Sequence, residues 1–116
     1  MIVCAIDDLM FSVRISTAAK SLQSDVYFER SAEKLLDTVR EKRPALVIFD
    51  LNSVRMRPLD ALAQLKSDPE LGAIRTLGYV AHADTATIEA ARAAGIDQVM
   101  ARSAFVNQLS GILTSE

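Results

Sequence analysis

Two short runs of this sequence are apolar at nearly every position and end directly on aspartate. Residues 2–6 lead into Asp7 and Asp8, and residues 45–49 lead into Asp50. A half-exposed strand would alternate apolar and polar residues, whereas continuous apolar runs are typical of strands buried on both faces of a parallel sheet. The pattern therefore favours an α/β fold in which helices cover both faces of the sheet.

The rest of the chain supplies the other elements of such a fold. Residues 26–28, 77–81 and 98–101 are further candidate strands, and segments with helical spacing of apolar residues lie between the runs. Strand and helix alternate about five times, which predicts a doubly wound parallel sheet with right-handed crossovers. We expect the 116 residues to form one domain, 1–116, because the length leaves no room for two.

Turn and capping residues mark several helix boundaries. Ser31 and Asp84 are candidate N-caps, Pro58 fits the first turn of the third helix, and Gly95 fits a left-handed cap after the fourth. The fifth helix is predicted to begin near Ser103 and to bury the apolar side chains Val106, Leu109 and Leu113.

Composition limits the classes of function. The formal net charge of −2 argues against electrostatic binding of nucleic acid, which favours a strongly basic chain. The single cysteine, Cys4, lies in an apolar run and indicates a buried side chain in a reducing compartment. No targeting segment and no run long enough to span a membrane is visible, so we expect a cytoplasmic protein without membrane contact.

The acidic strand ends predict a ligand site. In open α/β sheets, ligands bind at the carboxyl ends of the strands, where Asp7, Asp8 and Asp50 are expected to converge. Carboxylates held close together repel, and Mg²⁺ is the hard cation that relieves this repulsion. Taken singly, Asp7 or Asp8 could instead be the N-cap of the first helix, and Asp50 could cap a turn.

Four sequence blocks resemble those of response-regulator receiver domains, and the last three have the spacing of the bacterial chemotaxis receiver. The blocks are Ile6-Asp7-Asp8, Leu46-Val47-Ile48-Phe49-Asp50, Tyr79-Val80-Ala81-His82 and Met100-Ala101-Arg102. The resemblance implies a flavodoxin-like fold with strand order 2-1-3-4-5 and five helices. It also implies that Asp50 accepts a phosphoryl group from a histidine kinase, that Asp7 and Asp8 hold Mg²⁺, and that Asn52 lends the metal its backbone carbonyl.

The sequence departs from the family pattern at the positions that transmit phosphorylation. Val80 stands where the family has Thr or Ser and cannot donate a hydrogen bond to a phosphoryl oxygen. Arg102 replaces the family's lysine, and Val99 replaces the aromatic residue whose rotamer reports phosphorylation. His82, two positions past Val80, is a candidate residue at the pocket mouth, although an exposed loop residue without a role is the simpler interpretation.

These features predict an atypical receiver, not an enzyme, whose signalling is weakly coupled or uncoupled to phosphorylation. Its expected partner is a histidine kinase or a downstream signalling protein, which would contact the face made by the fourth helix, fifth strand and fifth helix. Two copies of the chain could also pair through that face.

Two other functional classes stay open at this point. The alternative is a small Mg²⁺-dependent phosphohydrolase with Asp50 as nucleophile, although Asn52 stands where haloacid-dehalogenase-type hydrolases carry a second aspartate. A flavodoxin-like flavin carrier is disfavoured, because Asp7 and Asp8 would repel a phosphate at the first loop. One His and one Cys cannot build a Ser-His-Asp or zinc site.

Overall fold

Five parallel strands form one sheet in the computed structural model, which describes residues 1–81 and 84–114. The strands are β1 (Ile2–Ala5), β2 (Val26–Phe28), β3 (Leu46–Asp50), β4 (Arg75–Val80) and β5 (Gln98–Ala101). The helices are α1 (Leu9–Leu22), α2 (Leu35–Lys42), α3 (Pro58–Ser67), α4 (Thr85–Ala93), α5 (Arg102–Asn107) and α6 (Leu109–Thr114). The strand order is β2-β1-β3-β4-β5, which confirms the predicted fold class.

Alternate residues of the central strands supply two separate cores. Val3, Val47 and Phe49 face a core shared with α2, α3 and α4. Cys4 and Ile48 face the opposite core, which α1, α5 and α6 cover. Each fully buried large apolar side chain contributes about 1.5–3 kcal/mol relative to an exposed one. Burial on both faces is the reason that these strands lack polar alternation.

Most of the predicted helix boundaries are confirmed. Pro58 is the first residue of α3, and the Asp84 carboxylate accepts a hydrogen bond from the Thr87 N–H at 3.3 Å at the start of α4. Gly95 has a φ of +97°, the left-handed region that favours glycine. In the described ranges no helix is long and apolar enough to cross a bilayer.

The predicted N-cap at Ser31 is wrong. The Ser31 N–H donates to the Glu29 carboxylate at 3.2 Å, and residues 32–34 form a turn before α2 begins at Leu35. The Ser31 hydroxyl, which a cap would use to accept a helix N–H, donates instead to Glu33 Oε2 at 3.3 Å.

The expected fifth helix is divided into α5 and α6 at Gln108. The Gln108 N–H is shared between the carbonyls of Ala104 and Phe105, which tightens the turn between the two segments. Phe105, Leu109 and Leu113 are buried and continue one apolar face across the break, whereas Val106 is only half-buried. The anchor of this segment is therefore Phe105 and not Val106.

Candidate functional site

The carboxyl edge of the sheet brings together the three aspartates that the sequence singled out. Asp50 is the last residue of β3, and Asp7 and Asp8 follow the neighbouring strand β1. The charges of Asp7 and Asp8 both raise the pKa of Asp50, after the larger effect of burial. The three aspartates therefore lie at the same edge of the sheet, and the charges of Asp7 and Asp8 reach Asp50.

Asp50 is half-buried, and its carboxylate is not fully compensated. Burial raises its pKa above the usual value, the Asn52 N–H opposes this by donating to Asp50 Oδ1 at 3.0 Å, and Asp7 raises it further. The positive charge of Arg102 opposes the shift but does not reverse it. A carboxylate with a raised pKa among like charges at a strand end is a candidate reactive group.

Asp7 and Asp8 are each anchored through one carboxylate oxygen. Ser53 Oγ donates to Asp7 Oδ1 at 2.8 Å and accepts the Met56 N–H at 3.1 Å, so that Asp7 holds the loop after β3. Asp8 Oδ1 accepts the Phe11 N–H at 3.0 Å as the N-cap of α1. The sequence left open whether Asp7 or Asp8 is the N-cap of α1, and in the structure the N-cap is Asp8.

The donor set suits a hard cation that is only partly coordinated by protein. All the donors are oxygens, which Mg²⁺ prefers, and Mg²⁺ usually takes one or two carboxylates and keeps several waters. Within residues 1–81 and 84–114, no three Asp, Glu, His or Cys side chains are placed to hold a metal ion between them. The residues therefore fit a cation held by one or two of these aspartates with water, and not one held by all three.

Asn52 and Ser53 fix the loop that follows Asp50. Asn52 Oδ1 accepts a hydrogen bond from the Ala81 N–H at 2.6 Å and so connects this loop to the end of β4. The resemblance implied only a backbone role for Asn52, and the sequence analysis did not single out Ser53. Their position directly after a strand-end aspartate was the available signal, since short polar side chains there often bond to nearby backbone.

Val80 and Val99 lie on the opposite face of the sheet from Asp50. Val80 is buried at the end of β4, and Val99 is half-buried in β5. Together with Ile88 of α4 they line a cavity of about 410 Å³ that also reaches Arg102. An apolar cavity thus stands where the resemblance places a hydroxyl and an aromatic ring.

The Arg102 side chain is directed to the outer rim of the acidic edge. Its guanidinium carbon lies 4.1 Å from the centroid of the Phe11 ring, and its Nη2 lies 3.6 Å from Asp8 Oδ2. Arg102 therefore contacts one of the three aspartates directly and stacks on an aromatic ring. His82 lies outside the described residues.

Solved structures of response regulators have the same fold as this chain. One from Hahella chejuensis superposes with a TM-score of 0.86 at 13% identity, covering 97% of this chain and 91% of that one. A phosphorylated cyanobacterial phytochrome response regulator gives 0.80 at 22% identity, with 98% and 88% covered. The receiver domain of a Pseudomonas aeruginosa sensor histidine kinase, with a magnesium ion coordinated in its active-site cleft, gives 0.83 at 16% identity, with 98% and 93% covered.

The resemblance inferred from the sequence is thus confirmed at the level of the fold. No protein-family model matches the chain, and no curated protein matches it either. At these identities the superpositions establish the receiver fold, and the function has to be argued from the residues.

Proposed function

We propose that this chain is a receiver module of two-component phosphorelay signalling, which accepts a phosphoryl group on Asp50 and acts through contacts with other proteins. The observation that carries the proposal is the half-buried Asp50 carboxylate at the end of β3, with Asp7 and Asp8 at the same edge of a receiver fold. The phosphorylated and magnesium-bound relatives in fold support it.

In this proposal Asp50 acts as the nucleophile of a phosphoryl transfer. One of its carboxylate oxygens forms the new bond to phosphorus, while the bond between phosphorus and the leaving group breaks and the leaving group keeps the electron pair. Asp7, Asp8, Asp50 and the Asn52 backbone carbonyl are the proposed groups around Mg²⁺, with one or two of the carboxylates bound to the ion directly and the others through its waters. A bound Mg²⁺ would supply neutralisation of the charge on the phosphoryl oxygens.

The chain's own contacts keep the acidic edge in place for this transfer. Ser53 fixes Asp7, the first turn of α1 fixes Asp8, and Asn52 ties the loop after Asp50 to β4. Because these contacts hold the carboxylates in place before a ligand binds, we expect the carboxylates to rearrange little on binding.

We further propose that phosphorylation of this chain changes its distal face only weakly. Val80 has no hydroxyl to draw towards a phosphoryl group, and Val99 has no ring to move into the cavity beside it. A ligand shifts a conformational equilibrium only by its differential contacts with the two states. The face made by α4, β5 and α5 is then a docking surface for a histidine kinase, a downstream protein or a second copy in either phosphorylation state.

Intact-mass spectrometry tests the acceptor role. Incubation with acetyl phosphate and Mg²⁺ is expected to add one phosphoryl group to the wild type and to Asp37→Ala, an exposed aspartate of α2 that serves as matched control. Asp50→Ala, or omission of Mg²⁺, is expected to abolish the adduct. A folded wild-type protein that forms no adduct would contradict the proposal and indicate a docking module that works without phosphate.

Amide chemical shifts test the weak coupling. Adduct formation is expected to shift the resonances of residues near Asp50 and to leave those of α4 and α5 nearly unchanged. Large shifts throughout α4, β5 and α5 would show that another path connects the pocket to that face.

A further inference from the structure

Among the buried side-chain nitrogen and oxygen atoms of the described residues, the hydroxyl oxygen of Tyr79 alone has no hydrogen-bond partner. The Tyr79 side chain is 1% exposed. Buried polar groups in native proteins are nearly always hydrogen-bonded, so a lone exception calls for a physical cause.

The position of Tyr79 connects it with the acidic edge. In the parallel pairing of β3 and β4, Tyr79 is the register partner of Asp50, which places both side chains on the same face of the sheet. The Tyr79 ring is held between Phe11 of α1, at a centroid distance of 5.0 Å, and Phe105 of α5, at 4.9 Å. The ring is therefore fixed by packing, and the hydroxyl cannot turn to solvent to find a partner.

The electrostatics at the hydroxyl agree with this placement. Burial raises the pKa of Tyr79, and the negative charge of Asp50 raises it further. The positive charge of Arg102 opposes this by a smaller amount, and Asp8 raises the pKa slightly. The phenol therefore lies within electrostatic reach of the pocket and stays protonated, as a hydrogen-bond donor, at neutral pH.

Other donors that the resemblance would assign to a phosphoryl group are not free for it. Val80 has no hydroxyl, and Arg102 is engaged by Phe11 and Asp8 at the rim. The Ala81 N–H donates to Asn52. Because Asp50 and Tyr79 are register partners, a phosphoryl group on Asp50 would extend on the face of the sheet that carries the buried Tyr79 hydroxyl, which has no acceptor among the described residues.

We propose that the Tyr79 hydroxyl donates a hydrogen bond to an oxygen of the phosphoryl group carried by Asp50, in place of the hydroxyl that Val80 lacks. This inference rests on the proposed function of Asp50 as phosphoacceptor. Tyr79 is then a residue that recognises the phosphorylated state from inside the core, because the hydroxyl is unsatisfied before phosphorylation and satisfied after it. The same contact adds to the stability of the phosphorylated protein.

Tyr79→Phe is the direct test, because it removes the hydroxyl and keeps the ring between Phe11 and Phe105. Beryllium fluoride with Mg²⁺ serves as the probe, since it forms a tetrahedral mimic of a phosphoryl group on a carboxylate. Calorimetric titration is expected to show a dissociation constant raised about tenfold or more in Tyr79→Phe. Tyr27→Phe, which alters the only other tyrosine, on the edge strand β2, is expected to bind as the wild type does.

Thermal unfolding without the probe separates a binding role from a structural one. Loss of an unsatisfied buried hydroxyl is expected to leave the melting temperature of Tyr79→Phe unchanged or raise it. The beryllium fluoride complex of Tyr79→Phe is expected to melt below that of the wild type. A purely structural tyrosine would lower the melting temperature with and without the probe alike, and that result would overturn the inference.

Absorption spectroscopy gives a second test that does not depend on altering Tyr79. The chain has no tryptophan and only two tyrosines, so Tyr79 is the sole such chromophore in Tyr27→Phe. Beryllium fluoride is expected to shift its absorption to longer wavelength, as hydrogen bonding of a phenol to an anion does.

An unshifted spectrum together with unchanged affinity of Tyr79→Phe would overturn the inference and leave Asp50 as the acceptor. A wild type that binds no beryllium fluoride and forms no phosphoryl adduct would overturn the proposed function itself, and the inference with it.

Discussion

Two polar clusters lie at opposite ends of the sheet, and they are built in opposite ways. At the amino ends of β4 and β5, Lys66 Nζ donates to Asp97 Oδ2 at 2.9 Å and to the carbonyls of Gly72 and Ile74. The Thr76 N–H and Oγ1 donate to the same carboxylate oxygen at 2.8 and 3.0 Å. We call these three residues, Lys66, Thr76 and Asp97, the amino-end cluster.

The carboxyl edge has an excess of negative charge instead. Arg102 forms an ion pair with Asp8 and its charge lowers the pKa of Asp50, and no salt bridge within residues 1–81 and 84–114 reaches Asp7 or Asp50. The difference is visible in the pKa values. Burial alone would raise the pKa of Asp97, but the hydrogen bonds from Lys66 and Thr76 outweigh it and the pKa is lowered, whereas that of Asp50 is raised.

The two clusters therefore have different roles, one in the stability of the fold and the other in binding a ligand. The amino-end cluster is complete in the folded chain and stabilises it. The carboxyl edge keeps charge that the chain does not neutralise, which costs stability and is typical of sites that await a partner. Stability measurements on matched variants test whether the amino-end cluster stabilises the fold and the carboxyl edge does not.

The largest stability effect is expected from Lys66→Met. The change removes a donor with three acceptors, and we expect a loss of about 2–3 kcal/mol in the free energy of unfolding, measured with urea. Phosphorylation of Asp50 should be unaffected. Lys20→Met, an exposed lysine of α1, is the control, with an expected change within about 0.5 kcal/mol. Equal losses of unfolding free energy in both variants would show that the amino-end cluster does not stabilise the fold more than an exposed lysine does.

Asp97→Asn is expected to cost about 1 kcal/mol at pH 7, because the hydrogen bonds from Lys66 and Thr76 then meet a neutral acceptor. The lowered pKa fixes the sign of the pH dependence. Asp97 stabilises the fold fully above its ordinary pKa of 3.8, and this contribution is lost as the pH falls through the lowered value. Urea unfolding at a series of pH values should show that the difference in unfolding free energy between Asp97→Asn and the wild type becomes smaller below pH 3.8.

Asp50→Asn is expected to change stability in the opposite direction and by a smaller amount. Since the pKa of Asp50 is raised in the folded chain, its ionised form destabilises the fold at neutral pH, and the cost disappears as the pH falls through the raised pKa towards 3.8. The variant should therefore unfold at higher urea concentration than the wild type at pH 7 and at the same concentration in acid. A less stable variant at pH 7 would show that Asp50 is compensated after all.

Arg102→Gln should have the smallest effect on stability, below about 1 kcal/mol, because its ion pair with Asp8 is half-exposed and long at 3.6 Å. Loss of its charge should also raise the pKa of Asp50 further, which a carboxyl-carbon NMR titration measures. A loss of several kcal/mol in the free energy of unfolding would show that Arg102 stabilises the fold, as the amino-end cluster does.

Much of the fold could be predicted because local sequence carries it. The apolar runs predicted all five strands, and Pro58, Asp84 and Gly95 marked helix ends through backbone chemistry that needs no distant partner. Ser31 is not a cap because its hydroxyl bonds Glu33 and a turn at residues 32–34 separates it from α2. The division of the last helix at Gln108 is not visible in the apolar spacing.

The aspartates of the site were predictable for a similar reason, and their partners were not. A strand-end acid in a parallel sheet reaches the carboxyl edge whatever surrounds it, so the local sequence was enough to place Asp7, Asp8 and Asp50 at one edge of the sheet. The folded structure was needed to show that Ser53 holds Asp7, that Arg102 lies on Phe11, and that Tyr79 has an unpaired buried hydroxyl on the face of the sheet that carries Asp50. These outcomes depend on register and side-chain packing between elements far apart in the chain, and no local pattern encodes them.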